Sequence, residues 1–139
     1  MPRPPNLSIA LDKVCFIIIK ARQFDVKDDV TEPHPASNAS DDGMRSVLED
    51  HRDDPVAAEL AAAIAALNED EQIDLVALAW LGRGDAGLDG WVDLRAEAER
   101  AHNTRTARYL MGIPLLADYL EEGLSQFGLS CSDMESEHL

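Results

Sequence analysis

Apolar residues recur along this chain at three- and four-residue intervals, interrupted by capping residues and by glycine and proline, and that period predicts helices throughout. Over residues 8–24, Leu11, Val14, Ile17, Ile18 and Ala21 fall on one side of a helix, with Cys15 and Ile19 widening the apolar face. Asp12, Lys13, Lys20 and Gln23 share the remaining polar strip, and Ser8 is the expected cap. So broad a face has to be covered on more than one side, by the rest of the domain or by a second subunit. The β-branched Ile17, Ile18 and Ile19 would suit a buried strand, but no partner strand is legible elsewhere, which favours the helix.

From residue 25 to 43 the composition turns to Asp, Pro, Ser and Asn, and Pro33 and Pro35 disfavour helix before them, so a long ordered or semi-ordered loop is expected. Loops of this length inside small domains are functional or flexible. A short helix over 44–51 would bury Met44, Val47 and Leu48. Asp54 and Pro55 form a cap and first-position proline for a helix over 56–67, whose Ala-rich body carries Leu60, Ile64 and Leu67. Asn68 with Glu71 has capping-box spacing and opens a segment over 73–81 that is apolar on both sides, Ile73, Val76, Ala77 and Trp80 against Leu75, Leu78 and Leu81. A helix apolar all round belongs in the middle of a bundle.

Beyond Gly82, Asp89 is the expected cap of a helix turning Trp91, Leu94 and Ala98 inward, and both tryptophans are expected to be largely buried. Asn103 or Thr104 starts a further helix that stops at Gly112, and Pro114 marks the start of the last one, with Ile113, Leu116, Leu120, Leu124 and Phe127 on one face. No internal repeat or sustained heptad is present. The predicted fold is all-α, a compact bundle of about six helices with one long polar loop after the first. Residues 1–7 are read as a disordered N-terminus, 8–128 as a single helical domain and 129–139 as an acidic flexible tail.

With 139 residues, one domain can bury roughly two-thirds of its unfolded surface and needs no disulfide to fold. Cys15 and Cys131 lack CxxC or Cys/His spacing and read as reduced thiols. No apolar run reaches membrane-spanning length, and a cytoplasmic soluble protein is the expectation. The net charge of −15, from 27 acids against 12 Lys and Arg, repels phosphate backbones and anionic membranes, so neither nucleic acid nor membrane is an expected partner. Ten acids and three bases lie in residues 25–54. Arg95, Arg100, Arg105 and Arg108 lie close together, and no Lys or Arg follows. Pairing with Glu97, Glu99 and the acidic last helix accounts for them more simply than a phosphate or carboxylate pocket does.

Chemistry is sparsely marked. Asp85, Asp89, Gly90 and Asp93 occupy four positions of a calcium loop, but Gly87 and Ala96 stand where two carboxylates are required. His34, His51, His102 and His138 form no HExxH or i, i+4 pair, so no metal site or cofactor is expected, and no nucleophile stands beside a base. Two regions remain as ligand or partner candidates. In the polar loop, Asn38, Asp41 and Asp42 could bind a ligand, although turn and capping bonds explain them at least as well. At the Arg-rich entry to the last helices, His102, Arg105 and Arg108 could hold an ion or orient a base, against the simpler reading of His102 as a helix-terminal residue.

Three segments, 24–42, 74–85 and 102–124, carry a resemblance. In these, "FDVKDDVTEPHPASNASDD", "DLVALAWLGRGD" and "HNTRTARYLMGIPLLADYLEEGL" resemble, in the same order, a bacterial family of unknown function numbered thirty-seven seventy-five, over most of residues 7–128. His34 and Ala36 depart from the Asp and Gly of the family's loop, which weakens a carboxylate-ligand role at position 34. The resemblance implies no activity, substrate or catalytic residue. The function expected is therefore that of a small acidic, non-enzymatic helical binding or adaptor protein, contacting a basic or apolar surface of another protein or a second copy of itself. The competing expectation is a small-ligand-binding or hydrolytic enzyme that uses the polar loop and the Arg-rich segment together.

Overall fold

The computed structural model describes residues 7–31 and 54–132, and among the described residues it contains six α-helices, one 3-10 turn and no strand. In chain order these are α1 (Leu11–Thr31), α2 (Pro55–Ala65), α3 (Glu69–Arg83), the 3-10 turn (Leu88–Gly90), α4 (Trp91–Ala101), α5 (Thr106–Met111) and α6 (Leu116–Gln126). The polar loop from residue 32 onward and the helix expected over 44–51 lie outside the described residues. So do Asn38, Asp41 and Asp42.

α3 is the central helix, as its two apolar sides required: Ile73, Leu75, Val76, Ala77, Leu78, Ala79 and Leu81 are all buried. It packs against α6 and α4, while α1 lies against α6 and α2, and α5 against α2. Two glycines set the α3–α6 distance. A Cβ at Gly82 would fall 1.7 Å from the Tyr119 carbonyl oxygen, and one at Gly123 would fall 2.5 Å from that of Leu78. The helices meet backbone to backbone there, and only residues without a side chain permit it. Beside this seam the Gln126 side-chain amide donates to the Leu81 carbonyl at 3.4 Å, and Trp91 meets Phe127 edge-on at 4.9 Å.

Local chemistry fixes several helix starts. The Asp54 carboxylate accepts the Val56 N–H at 2.9 Å with Pro55 in the first turn, and Asn68 and Glu71 close a reciprocal capping box with two bonds of 2.9 Å. Others differ from the sequence reading. α1 begins at Leu11, because the Ala10 carbonyl accepts the Lys13 and Val14 N–H groups, while the Ser8 N–H donates to Asp74. It also continues to Thr31 rather than ending near Phe24, since no proline lies between Leu11 and Glu32 to interrupt it. α4 follows the 3-10 turn with no side-chain cap from Asp89. α6 starts at Leu116 rather than at Pro114, because Leu115 takes a left-handed φ of 64° that interrupts the helix.

The rest of the domain covers most of the broad α1 face: Val14, Cys15, Ile17, Ile18, Ala21 and Phe24 are buried, whereas Phe16 is 46% and Ile19 41% exposed. Ion pairs fasten the same helix from its polar side, Lys13 with Glu71 and Lys20 with Glu59 at 2.8 Å, and Arg22 with Asp118 at 3.0 Å and Glu121 at 2.8 Å. The cysteines require a correction. Cys15 and Cys131 are joined in a disulfide, not held as free thiols, because the turn after α6 carries Cys131 back onto α1 across a separation of 116 residues. Leu129 and Cys131, which the sequence places in a flexible tail, pack against the helical core.

Candidate functional site

α3 and α4 run antiparallel, and their two ends treat polar residues differently. At the N-terminal end of α3, Asp74 is fully buried and accepts the Ser8 N–H and the Arg95 Nε–H, tying the start of the chain and α4 to the central helix. Arg95 also reaches Asp70 at 3.5 Å, and these two carboxylates, Asp74 first, push the guanidinium pKa above its ordinary value. Glu71 accepts from Lys13 and caps Asn68. The ammonium first and the backbone N–H second hold its carboxyl below the usual carboxylate range.

His102 belongs to the same end. It terminates α4, its Nε2 lies 2.8 Å from the Gln72 Oε1, and Gln72 in turn donates to the Ile64 carbonyl at 3.1 Å. Its Nδ1 stands 3.9 Å from Glu69. The imidazole thus links α4 through α3 to α2. Arg105 and Arg108 are exposed at and just inside the start of α5, and neither makes an ion pair among the described residues. Arg95 pairs with Asp74 and Asp70 rather than with Glu97 or Glu99, and Arg100 reaches Glu97 at 3.8 Å.

The opposite end opens into a cleft of about 350 Å³ lined by Trp80, Arg83, Asp85, Ala86, Asp93, Leu94 and Glu97. The last turn of α3 supplies Trp80 and Arg83. Gly84, left-handed at φ 98°, then reverses the chain so that Asp85 and Ala86 close one side, while the first turns of α4 supply Asp93, Leu94 and Glu97. Trp80 is part-buried, less sequestered than expected, and its indole N–H donates to the Tyr109 hydroxyl at 2.8 Å. Arg83 grips Asp85 through two hydrogen bonds, 3.1 Å from Nε and 2.6 Å from Nη2. That fork, helped by Tyr109, raises the guanidinium pKa and holds the Asp85 carboxyl below its usual range.

The remaining carboxylates of the cleft are less engaged. Asp93 has no ion-pair partner among the described residues, and Glu97 has only the long contact to Arg100. One arginine against three carboxylates leaves the lining net negative, beside the apolar surface of Trp80 and Leu94. Such a lining suits a cationic head carried on an aliphatic stem. Sequence reading weighed Asp85 and Asp93 only as calcium-loop positions and Glu97 only as an arginine partner and did not join them to Trp80, although one signal was present: Asp93 and Glu97 stand four apart on a helix, a like-charged spacing that costs helix stability.

The class that this geometry defines is an acidic, all-α bundle with a cleft at one end of its central helix. Residues 57–129, just over half of the chain, match the family described as Protein of unknown function (DUF3775), and the chain belongs to that family. Searches of curated proteins and of solved structures gave no match. The matched span begins within α2 and takes in the whole cleft, leaving α1, Cys15 and Cys131 outside it. No helix among the described residues is long and apolar enough to cross a membrane.

Proposed function

We propose that this protein is a non-enzymatic helical binding module, acting through protein–protein contacts, and that the Trp80 cleft receives a lysine or arginine side chain of its partner. The observation that carries this reading is the pairing of an apolar Trp80 and Leu94 surface with the under-used carboxylates Asp93 and Glu97. A basic side chain lays its methylenes on the former and its charge against the latter. The overall charge of −15 adds long-range attraction for a basic partner, which raises association rate and makes binding weaken with salt.

Calorimetric titration with a blocked tetrapeptide of alternating lysine and arginine tests the reading. Binding should fall about five- to tenfold in the double variant Asp93→Asn/Glu97→Gln, equivalent to roughly 1 kcal/mol. Unchanged affinity in that variant, or equal affinity for a tetraglutamate peptide, would overturn it. Self-association is a second contact the reading accommodates, resting on exposed Phe16 and Ile19. A light-scattering mass of one chain for wild type at high concentration and high salt would remove it.

A further inference from the structure

We infer that the Cys15–Cys131 bond is a reversible thiol–disulfide site, and that its redox state decides whether the segment after α6 is fastened onto α1. The inference rests on an asymmetry in what else holds the two ends of the bond. Cys15 lies within α1, which five buried apolar residues, Val14, Ile17, Ile18, Ala21 and Phe24, and ion pairs from Lys13, Lys20 and Arg22 already anchor. That helix stays docked without the disulfide. Cys131 lies five residues past the end of α6, beyond Gly128, whose left-handed φ of 77° and unobstructed surroundings make it a natural pivot.

Between Gly128 and Ser132 the other fastenings among the described residues are few. Leu129 packs partly against the core and its N–H donates to the Leu124 carbonyl at 2.9 Å, and the Ser132 N–H donates to Ser130 Oγ at 3.0 Å. Breaking the bond therefore frees this segment while leaving the bundle intact. Both sulfurs are buried, so exchange proceeds when the segment opens, and Cys131 is the sulfur that opening exposes. Release also uncovers Cys15 next to Phe16 and one turn from Ile19, enlarging the apolar strip already exposed on α1. Both cysteines lie outside residues 57–129, so the device couples α1 to the segment that follows the family-matched region rather than acting within it.

The chemistry requires a small disulfide as oxidant, of the glutathione disulfide class. The Cys131 thiolate attacks one sulfur of the small disulfide, forming a mixed disulfide and releasing one thiolate. The Cys15 thiolate then attacks the Cys131 sulfur, forming the intramolecular bond and releasing the second thiolate. Two protein thiols are oxidised, two small thiols appear, and the two protein protons pass to them. Reduction runs the same steps backward with two equivalents of small thiol.

The test equilibrates the full chain in glutathione buffers of graded redox ratio, with alkylation and mass spectrometry to count thiols and amide hydrogen exchange to locate the change. The expected result is an intramolecular bond in oxidising buffer and two alkylatable thiols in reducing buffer. On reduction the Leu129 amide should exchange at least tenfold faster, while amides of α3 and those at 17–24 of α1 keep their protection. Cys131→Ser should reproduce the reduced pattern in either buffer. In Cys15→Ser, Cys131 should form a mixed disulfide with glutathione faster than Cys15 does in Cys131→Ser. Thiols that stay free in oxidising buffer, bonds formed only between chains, an unaltered Leu129 amide, or loss of α3 protection on reduction would each overturn the inference, the last by showing a staple on which the whole fold depends.

Discussion

At the N-terminal end of α3, Glu71, Gln72 and Asp74 each bind a partner from another segment, whereas at its C-terminal end Asp93 and Glu97 stand over a cleft with little to hold. Both ends are rich in acids, and both join α3 to α4. The difference lies in burial and stoichiometry. Where a carboxylate is buried, as Asp74 is, leaving it without a donor would cost several kcal/mol, so backbone and side-chain donors are in place. Where carboxylates stay solvated they need no internal partner, and their charge is free for another molecule. Acidic residues in this chain therefore report function only after the structural ones have been set aside.

Substitutions at the two ends should separate these roles. The largest effect is expected behind the cleft: Gly82→Ala drives a Cβ into the Tyr119 carbonyl, and the α3–α6 seam must open, costing more than about 3 kcal/mol in urea unfolding. A loss below about 1 kcal/mol would mean that the helices are less closely seated than described. Next, Asp74→Ala leaves Arg95 and the Ser8 N–H without their acceptor and should cost about 2–3 kcal/mol, less than for a wholly buried pair because Arg95 is partly exposed. Asp74→Asn, which keeps an acceptor, should lose less.

The pH response sharpens the same contrast. Glu71 and Asp85 have carboxyl pKa values lowered in the folded state, by Lys13 and Arg83 respectively, so each binds protons less readily folded than unfolded. Their contribution is complete above the usual carboxylate range and is lost as pH falls below that range through the lower folded values. Thermal melts should therefore drop between pH 5 and 3, and Lys13→Met should reduce that drop by about 3 °C, the scale expected of a half-exposed ion pair. An identical drop in the variant would show that the pair does not couple to folding. The smallest effect belongs to the cleft: Asp93→Asn/Glu97→Gln should leave unfolding free energy within about 0.5 kcal/mol of wild type.

Elements whose signal is local could be read from sequence. Asp54 with Pro55, Asn68 with Glu71, the two-sided apolar pattern of α3 and the inward Trp91 all appear where expected, because a cap or a helical face depends on residues within one turn or two. What escaped depends on distant pairs. The union of Cys15 with Cys131, the burial of Asp74 under Ser8 and Arg95, and the Gly82–Tyr119 contact join residues far apart in the chain, and no spacing announces them. The candidate site divides in the same way. His102 stood out by residue type and stands against Gln72, whereas Asp93 was weighed only as a calcium-loop position, Glu97 only as an arginine partner and Trp80 only as a core aromatic until α3 and α4 were seen to frame them.

The central claim, that the cleft over Trp80 receives a basic side chain, is tested most directly by the two tryptophan indole N–H signals in a nitrogen–proton correlation spectrum, assigned with Trp80→Phe. Adding the lysine–arginine tetrapeptide should move the Trp80 signal saturably and leave Trp91, buried against Phe127, in place, with the shift suppressed in Asp93→Asn/Glu97→Gln and at high salt. A Trp80 signal that stays fixed through the titration, or that moves equally with tetraglutamate, would contradict the account.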